Sequence, residues 1–360
     1  MALLYDDGQR AIQREAVRVV EAATDKQLLL GLIDGPGAID EALWRTVRDQ
    51  GWTALGIPEA HGGIGLGLTE LGIVCQALGA APAGVPFLAG NHGVAQALLV
   101  GDDATARDKW LPLLARGEAV GAVAFAEAWS PLPARPETAY RDGRLSGVKP
   151  GVPSGSRADC AVVLAQAEDG PILALAELAG LSRPPVAGYD PARCNADLVF
   201  AETPAVPLAG GEAARAILAR LAVLAAHEQL GGAEALLGIA RDYALTRKAF
   251  GQPIGAFQSV KHRVAELYGL VEIARANCIR AASAEGAADF LRHAAAAKLS
   301  ATEAYDTAAR DCVQIHGAIG TTWEQGLHLH MRHARSLAVE HGNSLFWEDV
   351  LVEDLTGVAA

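Results

Sequence analysis

The sequence RKAFGQPIGAFQ, at Arg247–Gln258, lies between two long segments with helical periodicity. Two glycines and a proline interrupt the pattern, so this stretch predicts a tight turn that ends one helix and begins another. The Arg247 guanidinium would offer a planar fork to a pyrophosphate, and the amides of the helix beginning near Gln258 would form an anion site. A plain helix–helix turn, with a terminal arginine favoured by the helix dipole, explains the same residues equally well. From chemistry alone, both interpretations stay open.

Helical periodicity continues on both sides of this turn. After Pro207, apolar residues recur at three- and four-residue spacing to the end of the chain. The longest predicted helices span about Ala213–Arg247, Phe257–Ala284 and Ala287–Gln314. Helices of this length favour an antiparallel bundle.

The pattern differs in the first part of the chain. Helical spacing holds from Asp7 to about Gly117, and then short apolar runs alternate with turn residues, as is typical of strands. The predicted strands include Cys160–Ala165, Ile172–Ala176 and Leu198–Phe200. We therefore predict an α+β, mainly α, fold with an N-terminal helical domain at 1–120, a small central β-domain at 121–208 and a C-terminal four-helix-bundle domain at 209–360.

Composition argues against several classes of function. The 360 residues carry a net charge of −12, which would repel a phosphate backbone, so no nucleic-acid partner is expected. No window of about 18 uncharged apolar residues occurs, so we expect no membrane-spanning helix. The five cysteines form no C-x-x-C pair, a pattern typical of the reducing cytoplasm.

Three motifs in the chain resemble those of the acyl-CoA dehydrogenase family. The turn at Arg247–Gln258 is similar to the family's R-x-x-F-G-x-P-I-x-x-F-Q segment. The stretch Gln314–Glu324, QIHGAIGTTWE, is similar to Q-x-x-G-G-x-G-y-t-x-E, with Ala318 at the usual second glycine. Upstream, Gly56–Gly65 reads GIPEAHGGIG and is similar to G-i-P-e-x-y-G-G-x-G. The three motifs stand in the family's order and extend over most of the chain.

The resemblance implies a flavoprotein that removes a proton from C2 and a hydride from C3 of an acyl-CoA, with FAD as the hydride acceptor. It also implies an electron-transfer flavoprotein or similar acceptor that reoxidises the flavin. In the family, the adenosine diphosphate half of FAD is held partly by the helical domain of a neighbouring subunit. Carried over to this sequence, the implied FAD contacts are Arg247, Phe250, Gln258, Gln314 and Gly317.

The family's catalytic base is not clearly present. Counting from Arg332 puts His341 in the usual position of the Glu, with Glu340 one residue earlier, so Glu340 is one candidate. Some members carry the base instead on the long helix that precedes the R-x-x-F-G turn. The corresponding position in this chain is Leu221. Glu228 lies seven residues after Leu221, about two turns along nearly the same helical face, and is the preferred candidate. A glutamate paired inside a bundle explains Glu228 at least as well.

The flavin-ring contacts of the family are also replaced. Its T-E-P-x-x-G-S-D stretch corresponds to the segment beginning Ala126–Pro131, AEAWSP, in which both hydroxyl-bearing positions of the motif and its glycine are changed. Its K-x-W-I-T/S-N-G strand corresponds to Lys149–Gly155, KPGVPSG, where Gly151 replaces the stacking Trp and Pro153 replaces the Thr or Ser that contacts flavin N5. Because proline has neither a hydroxyl nor an amide donor, Pro153 offers no replacement for that contact.

These losses are selective, since the motifs that serve a neighbouring subunit's flavin are kept. We therefore favour one subunit of a heteromeric α2β2 enzyme, similar to those that oxidise bulky steroid-type acyl-CoA thioesters, over a homotetramer. A non-catalytic scaffold that keeps the fold, and an acyl-CoA oxidase, remain alternatives. We predict no metal site, because no carboxylate or cysteine completes a ligand set with the C-terminal histidines His316, His328, His330, His333 and His341.

Overall fold

The computed structural model describes residues 5–33, 35, 37–82, 85 and 87–357. In these residues the α-helices are Asp7–Ala23 (α1), Lys26–Leu32 (α2), Glu41–Asp49 (α3), Leu68–Gly79 (α4), Phe87–Val100 (α5), Ala104–Ala115 (α6), Ala213–Thr246 (α7), Gln258–Ser283 (α8), Phe290–His316 (α9), Leu327–Val339 (α10) and Ser344–Thr356 (α11). The strands are Gly121–Ala124 (β1), Ala139–Arg141 (β2), Arg144–Val152 (β3), Cys160–Ala167 (β4), Gly170–Glu177 (β5), Ala196–Gly210 (β6), Lys248–Ala249 (β7) and Gln252–Pro253 (β8).

The order of helices, strands and helices confirms the predicted fold class. The long helices α7, α8 and α9 begin and end within three residues of their predicted limits, and β4, β5 and β6 contain the predicted strands. The division into three domains stays a prediction. By packing, the chain forms two compact units, one built from residues 1–31, 72–82 and 222–360 and the other from 32–71 and 83–221.

The second unit contains a small sheet that closes on itself. Strand β4 pairs with β1 and β2 on one edge and with β5 on the other, and β5, β6, β3 and β2 complete the circuit. Alternate side chains along these strands point inward. The enclosed core is Ala122, Ala124, Leu145, Val152, Ala158, Ala161, Val163, Ala165, Ala174, Ala176, Leu178, Leu198 and Phe200.

In the first unit, α8 and α9 pack against each other through two stripes of buried residues. The stripe on α8 is Leu267, Val271, Ala274, Cys278 and Ala281, and the stripe on α9 is Ala294, Ala297, Ala301, Ala304 and Ala308. Both stripes follow the alternating three- and four-residue spacing of a helical seam, and the alanines let the helix axes approach closely. An ion pair between Arg263 and Asp311 joins α8 and α9 where α8 begins and α9 ends.

Two glycines let α4 and α7 cross at short range in the same unit. A methyl group on Gly231 would lie 1.7 Å from the carbonyl oxygen of Gln76, and one on Gly79 would lie 1.9 Å from that of Glu228. Since backbone atoms cannot move aside locally, only glycine fits at either position.

Among the described helices, none has the length and apolar character needed to cross a membrane.

Candidate functional site

The predicted turn is a short hairpin attached to the end of α7. The amide of Arg247, the first residue after α7, donates to the carbonyl of Tyr243 over 2.8 Å, and the amide of Ile254 donates to the Arg247 carbonyl over 2.8 Å. Strands β7 and β8 pair in antiparallel register, and the residues between them, Phe250 and Gly251, have φ angles of 51° and 80°. Two positive φ angles in succession are the signature of a type I′ hairpin turn.

This hairpin presents its tip to solvent. The Phe250 side chain is 98% exposed, and its ring meets that of Phe257 edge-to-face at 6.2 Å between centroids. Gln258 is the first residue of α8 and is also exposed. Because Phe257 precedes it and has no side-chain acceptor, the first amides of α8 remain able to bind an anion.

The second motif forms the end of α9. Gln314 is exposed in the last turn, and His316 is the last helical residue. Gly317 follows with φ 64° and ψ −143°, a conformation that side chains rarely allow. A methyl group on Gly320 would lie 2.8 Å from the carbonyl oxygen of Val313, so the chain folds back tightly on α9.

The ends of α7 and α9 lie side by side. The rings of Tyr243 and His316 stack with centroids 4.0 Å apart and planes inclined by 21°. Tyr243 is one helical turn before Arg247, and His316 lies between Gln314 and Gly317 in sequence. The structure thus brings together three helix ends that carry the predicted FAD contacts Arg247, Phe250, Gln258, Gln314 and Gly317.

The electrostatics of these helix ends suit a diphosphate. From Tyr243 to Ala265 the chain contains no Asp or Glu, although the whole chain has 42 of them. Arg247, Lys248 and Lys261 are exposed there. A local positive cluster on a protein of net charge −12 focuses attraction on an anionic ligand, and the free amides of α8 add to it.

Glu228, the preferred candidate base, lies inside the helical unit. Its Oε1 atom is 3.1 Å from Nε2 of His333 on α10, and the two side chains are 14% and 3% exposed. The ring of Tyr305 packs edge-on against His333, and its hydroxyl lies 2.9 Å from Nδ1 of His330. Leu221 is fully buried. This environment is that of a paired glutamate in a bundle, and the catalytic role of Glu228 stays a prediction.

Glu340, the second candidate, follows the last residue of α10. Its Oε1 atom lies 3.3 Å from Nε2 of His341, and both side chains are nearly buried. His341 has a φ of 58°, and its carbonyl accepts a hydrogen bond from the Trp347 indole over 3.0 Å. The turn therefore places a carboxylate beside the histidine in the usual position of the base. That Glu340 acts as a base stays a prediction.

A buried ion pair supports the strand segments in which the family carries its flavin-ring contacts. Lys149 Nζ lies 2.6 Å from Oε1 of Glu127 and donates to the Phe125 carbonyl over 3.1 Å. Burial lowers the pKa of Lys149 to about 8, against the charge of Glu127. Burial alone would raise the pKa of Glu127, but hydrogen bonds from Lys149 and from the amides of Glu137 and Thr138 lower it. The two motif residues that this chain keeps in these segments, Glu127 and Lys149, thus form an ion pair with each other in the interior.

Position 151, where the family has its stacking tryptophan, offers no side chain that could stack on a ring. Gly151 has a φ of 57°, and a methyl group on it would meet no heavy atom within 4 Å. Its amide donates to Oδ1 of Asp197 over 2.8 Å, so that donor is already engaged. Pro153 has no amide hydrogen. The side chains that the family resemblance implies at positions 151 and 153 are therefore replaced in this chain.

The third motif is a compact turn that contains the 3₁₀ segment Glu59–His61. A methyl group on Gly63 would lie 1.8 Å from the carbonyl oxygen of Ile57, so this glycine is required by packing. That reason accounts for the glycine without any ligand.

Tyr243 and His316 were not expected from the sequence. The sequence signal that could have identified them is their position, because Tyr243 stands one helical turn before Arg247 and His316 lies within the second motif. Their contact depends on how α7 and α9 pack, which periodicity does not give. In the part of the chain that the structure describes, no group of three or more His, Cys, Asp or Glu side chains could hold a metal ion.

Known proteins share both the sequence and the fold. Residues 209–351 match the family model "Acyl-CoA dehydrogenase, C-terminal domain", and residues 6–118 match "Acyl-CoA dehydrogenase, N-terminal domain". The acyl-CoA dehydrogenase IpdE2 of Mycobacterium tuberculosis is 36% identical over 301 residues, which cover 83% of this chain and 82% of that protein.

Two solved structures resemble the chain over nearly its full length. The Tcur3481-Tcur3483 steroid ACAD superposes with a TM-score of 0.88 at 29% identity, covering 98% of both chains. The ChsE4-ChsE5 complex from Mycobacterium tuberculosis superposes with a TM-score of 0.91 at 24% identity, covering 100% of both chains. At 24% identity, the similarity to the ChsE4-ChsE5 complex supports only a shared fold.

Proposed function

This chain belongs to the acyl-CoA dehydrogenase family, and from that membership we propose that it is one subunit of a heteromeric acyl-CoA dehydrogenase. In this proposal a homologous partner subunit carries the flavin ring site and the catalytic glutamate. This chain holds the adenosine diphosphate half of the partner's FAD through the helix ends near Arg247 and Gln314. The assembly would be α2β2.

One contrast within the chain carries the proposal. The segments suited to phosphates keep their motif residues except at Ala318, their predicted contact residues are exposed, and the Tyr243–His316 stack joins two of the helix ends that carry them. The positions suited to the isoalloxazine ring are occupied by Gly151 and Pro153, which have no group for stacking or for donating a hydrogen bond to N5. A chain that used its own complete site would need both halves, whereas a chain that serves a neighbour's cofactor needs only the first.

The cofactor is FAD, which accepts the hydride from C3 of the acyl group when it is bound. This chain's contribution is binding and orientation. Arg247 would donate two parallel hydrogen bonds to the pyrophosphate, and the first amides of α8, beside Gln258, would add a fixed positive potential. Gln314 would donate its amide hydrogens, and the lack of a side chain at Gly317 lets a ligand approach the backbone.

The two candidate bases of this chain, Glu228 and Glu340, are proposed as structural residues in the heteromeric enzyme. Glu228 is paired with His333, and Glu340 lies beside His341. Either one becomes the base only if this chain has a working active site of its own, as it would in a homotetramer.

The substrate class is proposed from the relatives. The Tcur3481-Tcur3483 protein is described as a steroid ACAD and carries two protein names, and it is 29% identical to this chain. We propose a bulky, steroid-type acyl-CoA thioester as the substrate of the assembly, with an electron-transfer flavoprotein or similar protein as the acceptor.

Co-expression with a homologous dehydrogenase subunit encoded nearby tests the proposal. The expected result is a yellow complex with one FAD per pair of chains that oxidises a steroid-type acyl-CoA, while this chain alone purifies colourless and inactive. If this chain alone binds stoichiometric FAD and oxidises an acyl-CoA, the heteromeric proposal is wrong. A complex that stays colourless would favour a scaffold that keeps the fold without catalysis.

A further inference from the structure

The stack between Tyr243 and His316 is a direct side-chain contact between the ends of α7 and α9. The centroids are 4.0 Å apart with the planes inclined by 21°, so the rings overlap face to face. His316 is almost fully buried, and Tyr243 is half-buried. Stacked aromatic pairs contribute more than the area they bury, and they also fix a separation and an orientation.

Each ring is tied to the backbone that carries a proposed phosphate contact. The carbonyl of Tyr243 accepts the amide of Arg247, whose own carbonyl accepts the amide of Ile254. His316 Nδ1 lies 2.7 Å from the Cys312 carbonyl, which holds the imidazole against its own helix. Gly317 follows directly in a conformation suited to glycine.

A shift between the rings would therefore move Arg247 relative to Gln314 and Gly317. The guanidinium of Arg247 and the amide of Gln314 would bind oxygens of one diphosphate, which lie only a few ångströms apart. Both groups can reach those oxygens together only if the distance between their segments is fixed. Pre-set spacing avoids the entropy lost when loose groups are ordered on binding. The ion pair of Arg263 with Asp311 joins α8 to α9 and does not involve α7. The contacts of α7 through Gln229 with Thr302 and through Glu234 with Arg275 lie more than two turns before Tyr243, so neither fixes the helix ends as the stack does.

We propose that Tyr243 and His316 are positioning residues that set the distance between the two halves of the FAD pyrophosphate site. The inference rests on the proposed function, because it assumes that these helix ends bind FAD. Neither ring needs to touch the cofactor. A purely structural stack would change the stability of the helical unit without changing how the complex discriminates phosphorylated from unphosphorylated flavins.

The test measures FAD and riboflavin binding to the complex of full-length chain and partner. Tyr243→Ala and His316→Ala are expected to weaken FAD binding about tenfold and to leave riboflavin binding unchanged. Tyr243→Phe keeps the ring and should bind FAD as the wild type does. The double alanine variant should lose no more affinity than either single variant, because both remove one contact.

Tyr243→Leu serves as a second variant if Tyr243→Ala does not fold, since it keeps apolar packing but not a flat ring. Equal losses for FAD and riboflavin, or unchanged FAD affinity in the alanine and leucine variants, would overturn the positioning role while leaving the proposed function intact. A wild-type complex that binds no FAD, or that binds FAD no better than riboflavin, would overturn both.

Discussion

The carboxylate of Glu228 on α7 lies 3.1 Å from Nε2 of His333 on α10, with both side chains largely removed from solvent. A carboxylate and an imidazole at this distance are in direct polar contact, and in the interior this contact joins the two helices. The same carboxylate is the preferred candidate base from the sequence. Its two possible roles predict opposite behaviour on substitution.

Glu228→Gln is expected to leave kcat of the heteromeric complex within about threefold of the wild type, because in the proposed enzyme the partner carries the base and the amide keeps the size of the side chain. It should lower the free energy of unfolding by about 1–2 kcal/mol, since the contact between the carboxylate and His333 is lost. Steady-state oxidation of the acyl-CoA and urea unfolding measure the two effects. A fall in kcat of about a hundredfold or more, with FAD still bound, would make Glu228 the base.

Glu340→Gln provides the companion experiment. In the heteromeric enzyme its kcat should also remain close to that of the wild type, because the partner supplies the base. A large loss of kcat in Glu340→Gln alone would assign the base to the α10–α11 turn and would contradict the proposed division of labour.

Arg247→Lys should raise the Kd for FAD about tenfold, and Arg247→Ala should raise it about a hundredfold, because the first loses one of two parallel hydrogen bonds and the second loses the charge as well. Calorimetric titration of FAD into the apo complex measures both. Arg241→Ala is the matched control, since Arg241 is exposed near the end of α7, which Arg247 follows, and pairs with the adjacent Asp242. If Arg241→Ala and Arg247→Ala weaken FAD binding equally, the effect is one of general charge, and the proposed contact is wrong.

The fold followed closely from the sequence because the helices carry strong periodic signals. The alternating spacing of Ala294, Ala297 and Ala301 on α9 already defines a buried face, and the Arg247–Gln258 turn marks where one helix stops. The five proposed FAD contacts could be named from motifs alone.

What the sequence could not give were contacts that depend on packing between distant segments. Glu228 and His333 lie on different helices. Hydrophobic periodicity does not determine how two helices are rotated relative to each other, so the sequence could not predict this contact. The same holds for Lys149 on β3 and Glu127 in the segment after β1, which are distant in sequence and meet in the folded sheet unit. Charged side chains are usually exposed, so the burial of Lys149 and Glu127 can be recognised only when the structure shows that they pair.

Lys149→Met should destabilise the protein by about 3–5 kcal/mol, because it leaves Glu127 charged, buried and short of a partner. Adding Glu127→Gln should recover part of that loss, since it removes the buried charge and its single oxygen can still accept from one of the Glu137 and Thr138 amides, which donate to different oxygens of Glu127. Urea unfolding of the single and double variants gives the coupling energy. Lys109→Met, which breaks an exposed ion pair, should cost less than about 1 kcal/mol. Additive losses at Lys149 and Glu127 would contradict the pairing.

The stability of the protein should fall as the pH drops from about 6.5 towards 4. Burial lowers the pKa of His227 to about 4, although its hydrogen bond with the Val223 carbonyl opposes the shift, and burial and the nearby His333 lower that of His330 to about 3. With folded pKa values below the unfolded ones, the unfolded state binds more protons in this window. Each group then contributes a slope of about 1.4 kcal/mol per pH unit, and no slope above about pH 6.5.

Urea unfolding at pH 7, 6 and 5 measures that slope. His227→Phe should reduce it by the share of one histidine. A stability that does not vary between pH 7 and 5 would mean that these histidines are not held neutral by burial.

Gly231→Ala should unfold the protein or cost more than about 4 kcal/mol, because the added methyl group would lie 1.7 Å from the Gln76 carbonyl oxygen. The obstacle is backbone, so relief requires α4 and α7 to separate, which exposes the buried residues around the crossing. Gly238→Ala is a matched control on the same helix, because a methyl group there meets nothing within 4 Å. It should stabilise the protein by up to about 1 kcal/mol through helix propensity. Equal stability of the two variants in urea would show that the helices do not cross at this distance.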